Sequence, residues 1–105
     1  MAKKYINLTL KDYDENGYEH KVTFNYRLGP KAAQLFLDVA NVEPTPENLE
    51  KLGVKGLVLL IYAGCKHQHN DLTVERIWDL VDNYELDELD QITSQIVPND
   101  DNPNE

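Results

Sequence analysis

The sequence predicts an α+β fold: an N-terminal antiparallel β-hairpin packed on a bundle of about four helices with a central apolar helix. Three observations predict it. Residues 6–28 alternate apolar with polar around an Asn-Gly turn. Leu57 to Ala63, LVLLIYA, is an unbroken run of apolar and aromatic residues. The segments flanking that run repeat apolar residues at three- and four-residue spacing.

The hairpin is expected over 4–28. Ile6, Leu8 and Leu10 alternate with Asn7, Thr9 and Lys11. Val22, Phe24, Tyr26 and Leu28 alternate with Lys21, Thr23, Asn25 and Arg27. Asn16-Gly17 between them predicts a type I′ turn, which needs positive φ at two successive residues. A lone ribbon is marginal in water, so its apolar face must be covered by helices or by another copy. An exposed ribbon edge, Lys3 to Lys11 or Lys21 to Arg27, is open to a partner strand, with lysines that discourage uncontrolled pairing.

Helices follow over 30–41, 46–66, 73–83 and 85–97. Pro30 suits a first helical turn, and Ala32, Leu35, Phe36, Val39 and Ala40 form one stripe. Thr45-Pro46 supplies an N-cap and a first-turn proline for the second helix. Gly53 predicts a break or kink within it. Gly53, Gly56, Ala63 and Gly64 leave room for a neighbouring backbone. The run at 57–63 is bounded by Lys55 and by Lys66, His67 and Gln68. It is too short for the roughly 20 residues of a membrane span, so it is read as the buried core helix. Thr73 caps the next helix, whose stripe is Val74, Ile77, Trp78 and Val81, with Trp78 expected as its largest burial. Leu86, Leu89, Ile92 and Ile96 form the narrow stripe of the last helix. The residues 1–97 are expected to make a single domain, and the polar stretch 98–105 an acidic, disordered tail.

The charge is uneven. Of a formal net −9, residues 1–28 hold five Lys/Arg against four Asp/Glu, residues 29–70 four of each, and residues 71–105 one against eleven. Such a surface repels phosphate backbones, which argues against nucleic-acid partners. The single cysteine, Cys65, excludes an internal disulfide. The start, MAKKYINLTL, alternates where a signal peptide runs apolar, so a soluble intracellular protein without a membrane segment is expected.

Cys65, His67, His69 and Asp71 are all metal-ligating types. Their strict alternation differs from the spacing of zinc knuckles, and no second Cys/His pair accompanies them. They are read as a polar helix end, with a small metal-binding protein using Cys65, His67 and His69 as a minor alternative. Phosphate-loop, dinucleotide, zinc-protease and nucleophile-elbow patterns are absent. No catalytic, cofactor-binding or metal residue is assigned, and no cofactor is expected.

The order of elements carries a resemblance. LEKLGVKGLVLLIYAG, a loop, and LTVERIWDLVDNY after a polar hairpin resemble the small tail assembly chaperones of long-tailed bacteriophages, especially of Gram-positive hosts. Leu52, Leu57, Leu59, Leu60, Ala63 and Gly64 carry it, then Leu72, Thr73, Val74, Glu75, Ile77, Leu80 and Val81. The resemblance implies a non-enzymatic protein of the infected cell's cytoplasm, absent from the mature virion. It would bind the tape measure protein and recruit tail tube subunits, and self-association is open. A structural or head–tail connector subunit of the same machinery is the alternative. Leu86, Leu89, Ile92 and Ile96 of the last stripe, with Gly53 and Gly56, are the candidate partner-binding residues.

Overall fold

The computed structural model describes residues 4–96. The fold is α+β, with one two-stranded antiparallel ribbon and five α-helices among the described residues. The ribbon pairs β1 (Ile6–Tyr13) with β2 (Glu19–Tyr26), Leu8 opposite Phe24 and Leu10 opposite Val22. Period-two alternation turns Leu8, Leu10 and Tyr26 into the core.

The turn differs from the type I′ expectation. Only Gly17 takes positive φ, at 84°, while Asn16 does not. Gly17 N–H donates to the Asp14 carbonyl at 2.9 Å, and Asp14 N–H donates to the Tyr18 carbonyl at 3.0 Å. This is a three-residue loop with glycine in its left-handed position. The Asp14 carboxylate selects it by accepting from the N–H groups of Asn16 and Tyr18, each at 2.9 Å.

Helix α1 spans Pro30–Ala40 and ends on Asn41 in the left-handed region. The predicted span 46–66 is two helices, α2 (Pro46–Leu52) and α3 (Val54–Cys65), broken at Gly53. Gly53 holds φ 66° and ψ −135°, a conformation only glycine adopts readily. Thr45 caps α2, its hydroxyl accepting from Asn48 N–H at 3.2 Å. Gly56 lets α2 fold back over α3: a Cβ there would lie 2.9 Å from the Leu52 Cβ and 3.0 Å from the Leu49 carbonyl oxygen.

Helix α3 is the hub. From Gly56 to Cys65 only Tyr62 escapes burial. Leu8, Leu10 and Tyr26 of the ribbon, Phe36 of α1, Ile77, Leu80 and Val81 of α4 (Val74–Val81), and Ile92 and Ile96 of α5 (Asp90–Ile96) complete one core with it. Trp78 is not the main burial of α4. It stays 39% exposed, while Ile77 and Leu80 are fully buried. The position next to an inward-facing residue on a helix falls on the rim of the stripe, and the indole lands there. The last predicted helix divides into a 3-10 turn at Leu86–Glu88 and α5. Val97 and the expected tail lie outside the described residues.

Side chains cover the outer edge of β1. The Gln95 carboxamide accepts from Thr9 N–H at 2.9 Å and donates to the Thr9 carbonyl at 3.0 Å. Lys11 N–H donates to the Tyr84 hydroxyl and its carbonyl accepts from the Asn83 amide, both at 2.9 Å. Gln95 of α5 and the Asn83-Tyr84 connection thus stand where a third strand would pair, and this part of the β1 edge is closed to a partner. On β2, Asn25 N–H donates to His69 Nε2 at 3.0 Å and Arg27 N–H to the Gly64 carbonyl at 2.9 Å.

Candidate partner-binding site

The six predicted contact residues divide by their placement. Leu86 is 80% exposed, and Leu89 is half-buried beside it. Ile92 and Ile96 face inward and help to hold α5 on the ribbon. Gly56 lies beneath α2, and Gly53 is exposed at the break next to Val54.

Leu86 and Leu89 meet residues from two other elements. Val54 at the start of α3, Trp78, Val81 and Asp82 at the end of α4, and Tyr84 in the connection complete a socket of about 90 Å³. That is the volume of about three waters, or of the end of one branched aliphatic side chain. Each wall has a local cause. The inward stripe of α4 leaves Trp78 on the rim. Tyr84 is pinned through its hydroxyl to Lys11 N–H, and the Lys11 ammonium lies 4.4 Å from the centre of its ring. Glu85 N–H donates to the Glu88 carboxylate at 2.9 Å, which tightens the turn and holds Leu86 outward.

Acidic residues accompany the socket's lining along the chain. Asp82 lines the socket, Glu85 and Asp87 flank Leu86, and Asp79 follows Trp78, all four exposed. Among the described residues none of these four takes part in an ion pair, whereas Glu88 pairs with Lys11 at 3.4 Å. Lys55, beside Val54, is the neighbouring cation. An exposed tryptophan and leucine around a small cavity with charged neighbours have the composition of a protein-docking spot. Sequence reasoning found Leu86 and Leu89 but missed Val54, Trp78 and Tyr84. Its only usable signal was the acids interleaved with the stripe from Trp78 to Leu89.

Two larger concavities lie elsewhere. One, of about 450 Å³, is lined by Tyr5, Arg27, Lys31, His67 and Gln68 around the start of α1, with no carboxylate among its lining residues. The other, of about 430 Å³, lies beside β2 against Val22, Phe24, His69, Leu72 and Arg76. The Arg76 guanidinium is engaged by Asp12 at 2.9 Å, and this hydrogen bond holds the Asp12 carboxyl below its ordinary range.

The four metal-ligating types at 65–71 separate. Cys65 is buried, His67 is exposed, and His69 uses Nε2 on Asn25 and sets its ring edge-on to Phe24 at 5.2 Å. Among the described residues no group of three or more His, Cys, Asp or Glu is placed to hold a metal ion. No helix among them is long and apolar enough to cross a membrane.

Burial pushes the Cys65 thiol up to about 12 and raises the Tyr26 phenol as well. The Tyr26 hydroxyl is buried and has no hydrogen-bond partner among the described residues. Both groups are neutral in the fold and ionise more easily when unfolded. The unfolded chain therefore binds fewer protons in alkali, and stability falls as pH rises. The Cys65 contribution is fully present below about pH 9 and is lost as pH approaches about 12. Urea denaturation from pH 7 to pH 11 is expected to show this decline, and Cys65→Ala is expected to flatten it.

No protein-family model, curated protein or solved structure matches this chain.

Proposed function

We propose that this protein is a non-enzymatic bacteriophage tail assembly chaperone that binds the tape measure protein and recruits tail tube subunits. The observation that carries the reading is the acid-flanked socket at Trp78, Leu86 and Leu89. A protein that keeps a long, aggregation-prone client in solution needs an apolar contact within a strongly charged exterior. The described chain has both on one face. The resemblance of LEKLGVKGLVLLIYAG and LTVERIWDLVDNY to such chaperones supplies the identity of the clients.

The test is co-expression with the tape measure and tail tube proteins of the same genome, with a tag on this chain. The expected result is co-purification of the tape measure protein, soluble only when this chain is present, and weaker retention by Leu86→Ala. A tape measure protein equally soluble and unbound without this chain would overturn the proposal. Recovery of the chain from purified particles would support the connector reading instead.

A further inference from the structure

The concavity of about 450 Å³ at the start of α1 has the opposite charge to most of this chain. Arg27 and Lys31 both line it, and among the described residues neither takes part in an ion pair. The chain holds 19 Asp and Glu against 10 Lys and Arg, so two cations in one hollow without a counter-ion leave a local charge for a ligand to neutralise. Arg76 beside β2 is the contrast, because Asp12 engages its guanidinium at 2.9 Å. Tyr5, with His67 and Gln68 from the 3-10 turn Lys66–Gln68 that follows α3, completes the polar wall. No carboxylate is among the lining residues.

Contacts between distant segments hold these groups in place. Arg27 N–H donates to the Gly64 carbonyl at 2.9 Å, which fixes the chain just past β2 on the end of α3. The Arg27 side chain is half-buried, and its guanidinium folds over Gly29, where a Cβ would run into it. Gln68 Nε2 donates to the Tyr5 hydroxyl at 3.1 Å, which leaves the phenolic O–H free to donate in turn. No side chain caps α1, so its first N–H groups stand beside these donors.

We infer that this concavity binds a small phosphate monoester. A guanidinium meets two phosphate oxygens at once, and an ammonium adds a point charge. A phosphate monoester carries about −1.5 to −2 at pH 7, which balances Arg27 and Lys31 together, where a single carboxylate would balance one of them. The hollow is larger than a phosphate group alone requires and falls in the range of about 300–1,000 Å³ that small-molecule sites occupy. The Tyr5 ring, Pro30 and Ala32 offer apolar surface to an organic group carried by the phosphate. The acidic remainder of the chain repels a polynucleotide but leaves a small ligand free to enter. This inference stands apart from the chaperone reading and from the docking socket.

Titration calorimetry of the whole chain with adenosine monophosphate, inorganic phosphate and adenosine tests this, at about 0.15 M salt so that diffuse attraction is screened. Adenosine monophosphate is expected to bind once per chain, about tenfold or more tighter than inorganic phosphate, and adenosine not to bind. In nuclear magnetic resonance spectra of the natural chain, the same titration is expected to move the signals of Tyr5, Gly29, Lys31 and His67. Arg27→Gln with Lys31→Gln, its fold checked by circular dichroism, is expected to weaken binding by about tenfold or more. Lys51→Gln with Lys55→Gln removes the same charge at exposed positions elsewhere and is expected to leave binding unchanged. Equal affinity for phosphate and adenosine monophosphate would support the site with free phosphate as its ligand. Failure of both to bind saturably overturns the proposal. So does adenosine bound as tightly as its monophosphate, full binding by the Arg27 and Lys31 variant, an equal loss in the Lys51 and Lys55 variant, or shifts confined to other residues. A short single-stranded oligonucleotide bound more tightly than adenosine monophosphate overturns it as well, because the ligand would then be a nucleic acid.

Discussion

Gly64→Ala is expected to be the most damaging single-methyl change in the chain. Gly64 lies near the end of α3, buried, with the Tyr26 ring laid across it. A Cβ there would run into Cε2 and Cδ2 of that ring and lie 2.9 Å from Cζ. The ring has no room to retreat, because Tyr26 is only 2% exposed and packed in the core. The strand cannot slide away either, since Arg27 N–H donates to the Gly64 carbonyl at 2.9 Å. Overpacking a core by one methyl costs about 1–3 kcal/mol, and a clash with an immobile ring belongs at the top of that range or beyond. For a domain of this size such a loss is a large share of total stability. Thermal and urea denaturation should show a clearly lowered midpoint, and expression in the insoluble fraction would agree. A variant as stable as the natural chain would mean that the close approach of β2 to α3 is wrong.

Ile92→Ala is the second. Ile92 is fully buried in α5. A helix in a protein takes most of its stability from what it packs against. Ile92 and Ile96 supply that packing, and Gln95 fastens the same helix to Thr9 through two hydrogen bonds. Truncating a buried isoleucine to alanine costs about 2–5 kcal/mol. Loosening α5 should also release the β1 edge, so hydrogen exchange at Thr9 should accelerate more than at Leu8 or Leu10, whose amides face β2. Leu86→Ala provides the contrast. At 80% exposure it should change stability by less than about 0.5 kcal/mol, while weakening association at the socket. Equal stability losses at 86 and 92 would contradict the inward and outward placement of the two residues.

These two leucine and isoleucine positions show what a stripe in a sequence can and cannot reveal. Leu86, Leu89, Ile92 and Ile96 share one spacing pattern, yet the chain passes at Leu89 from a 3-10 turn to an α-helix. Across that change of helix type Leu86 faces solvent and Ile92 faces inward. Nothing in the four residue types distinguishes them. Trp78 shows the same limit from the other side. Its size argued for burial, but its place on the rim of α4 and the neighbouring turn left part of the indole exposed. At the hairpin, Asn16-Gly17 marked the turn, but the Asp14 carboxylate chose a longer loop in which only glycine needs positive φ.

What the sequence determined by itself is whatever depends on local periodicity and backbone chemistry. The period-two ribbon, the proline-led starts of α1 and α2, the break at Gly53 and the largely buried α3 all follow from residues close together in the chain. What only the tertiary structure decided is the pairing of surfaces distant in sequence. The Gln95 seal on Thr9, the Tyr26 ring on Gly64, and the socket that gathers Val54, Trp78 and Leu86 each need contacts between segments far apart. Such contacts arise because each element has one apolar face to bury and several ways to bury it. The shared core around α3, and not the local pattern, selects among them.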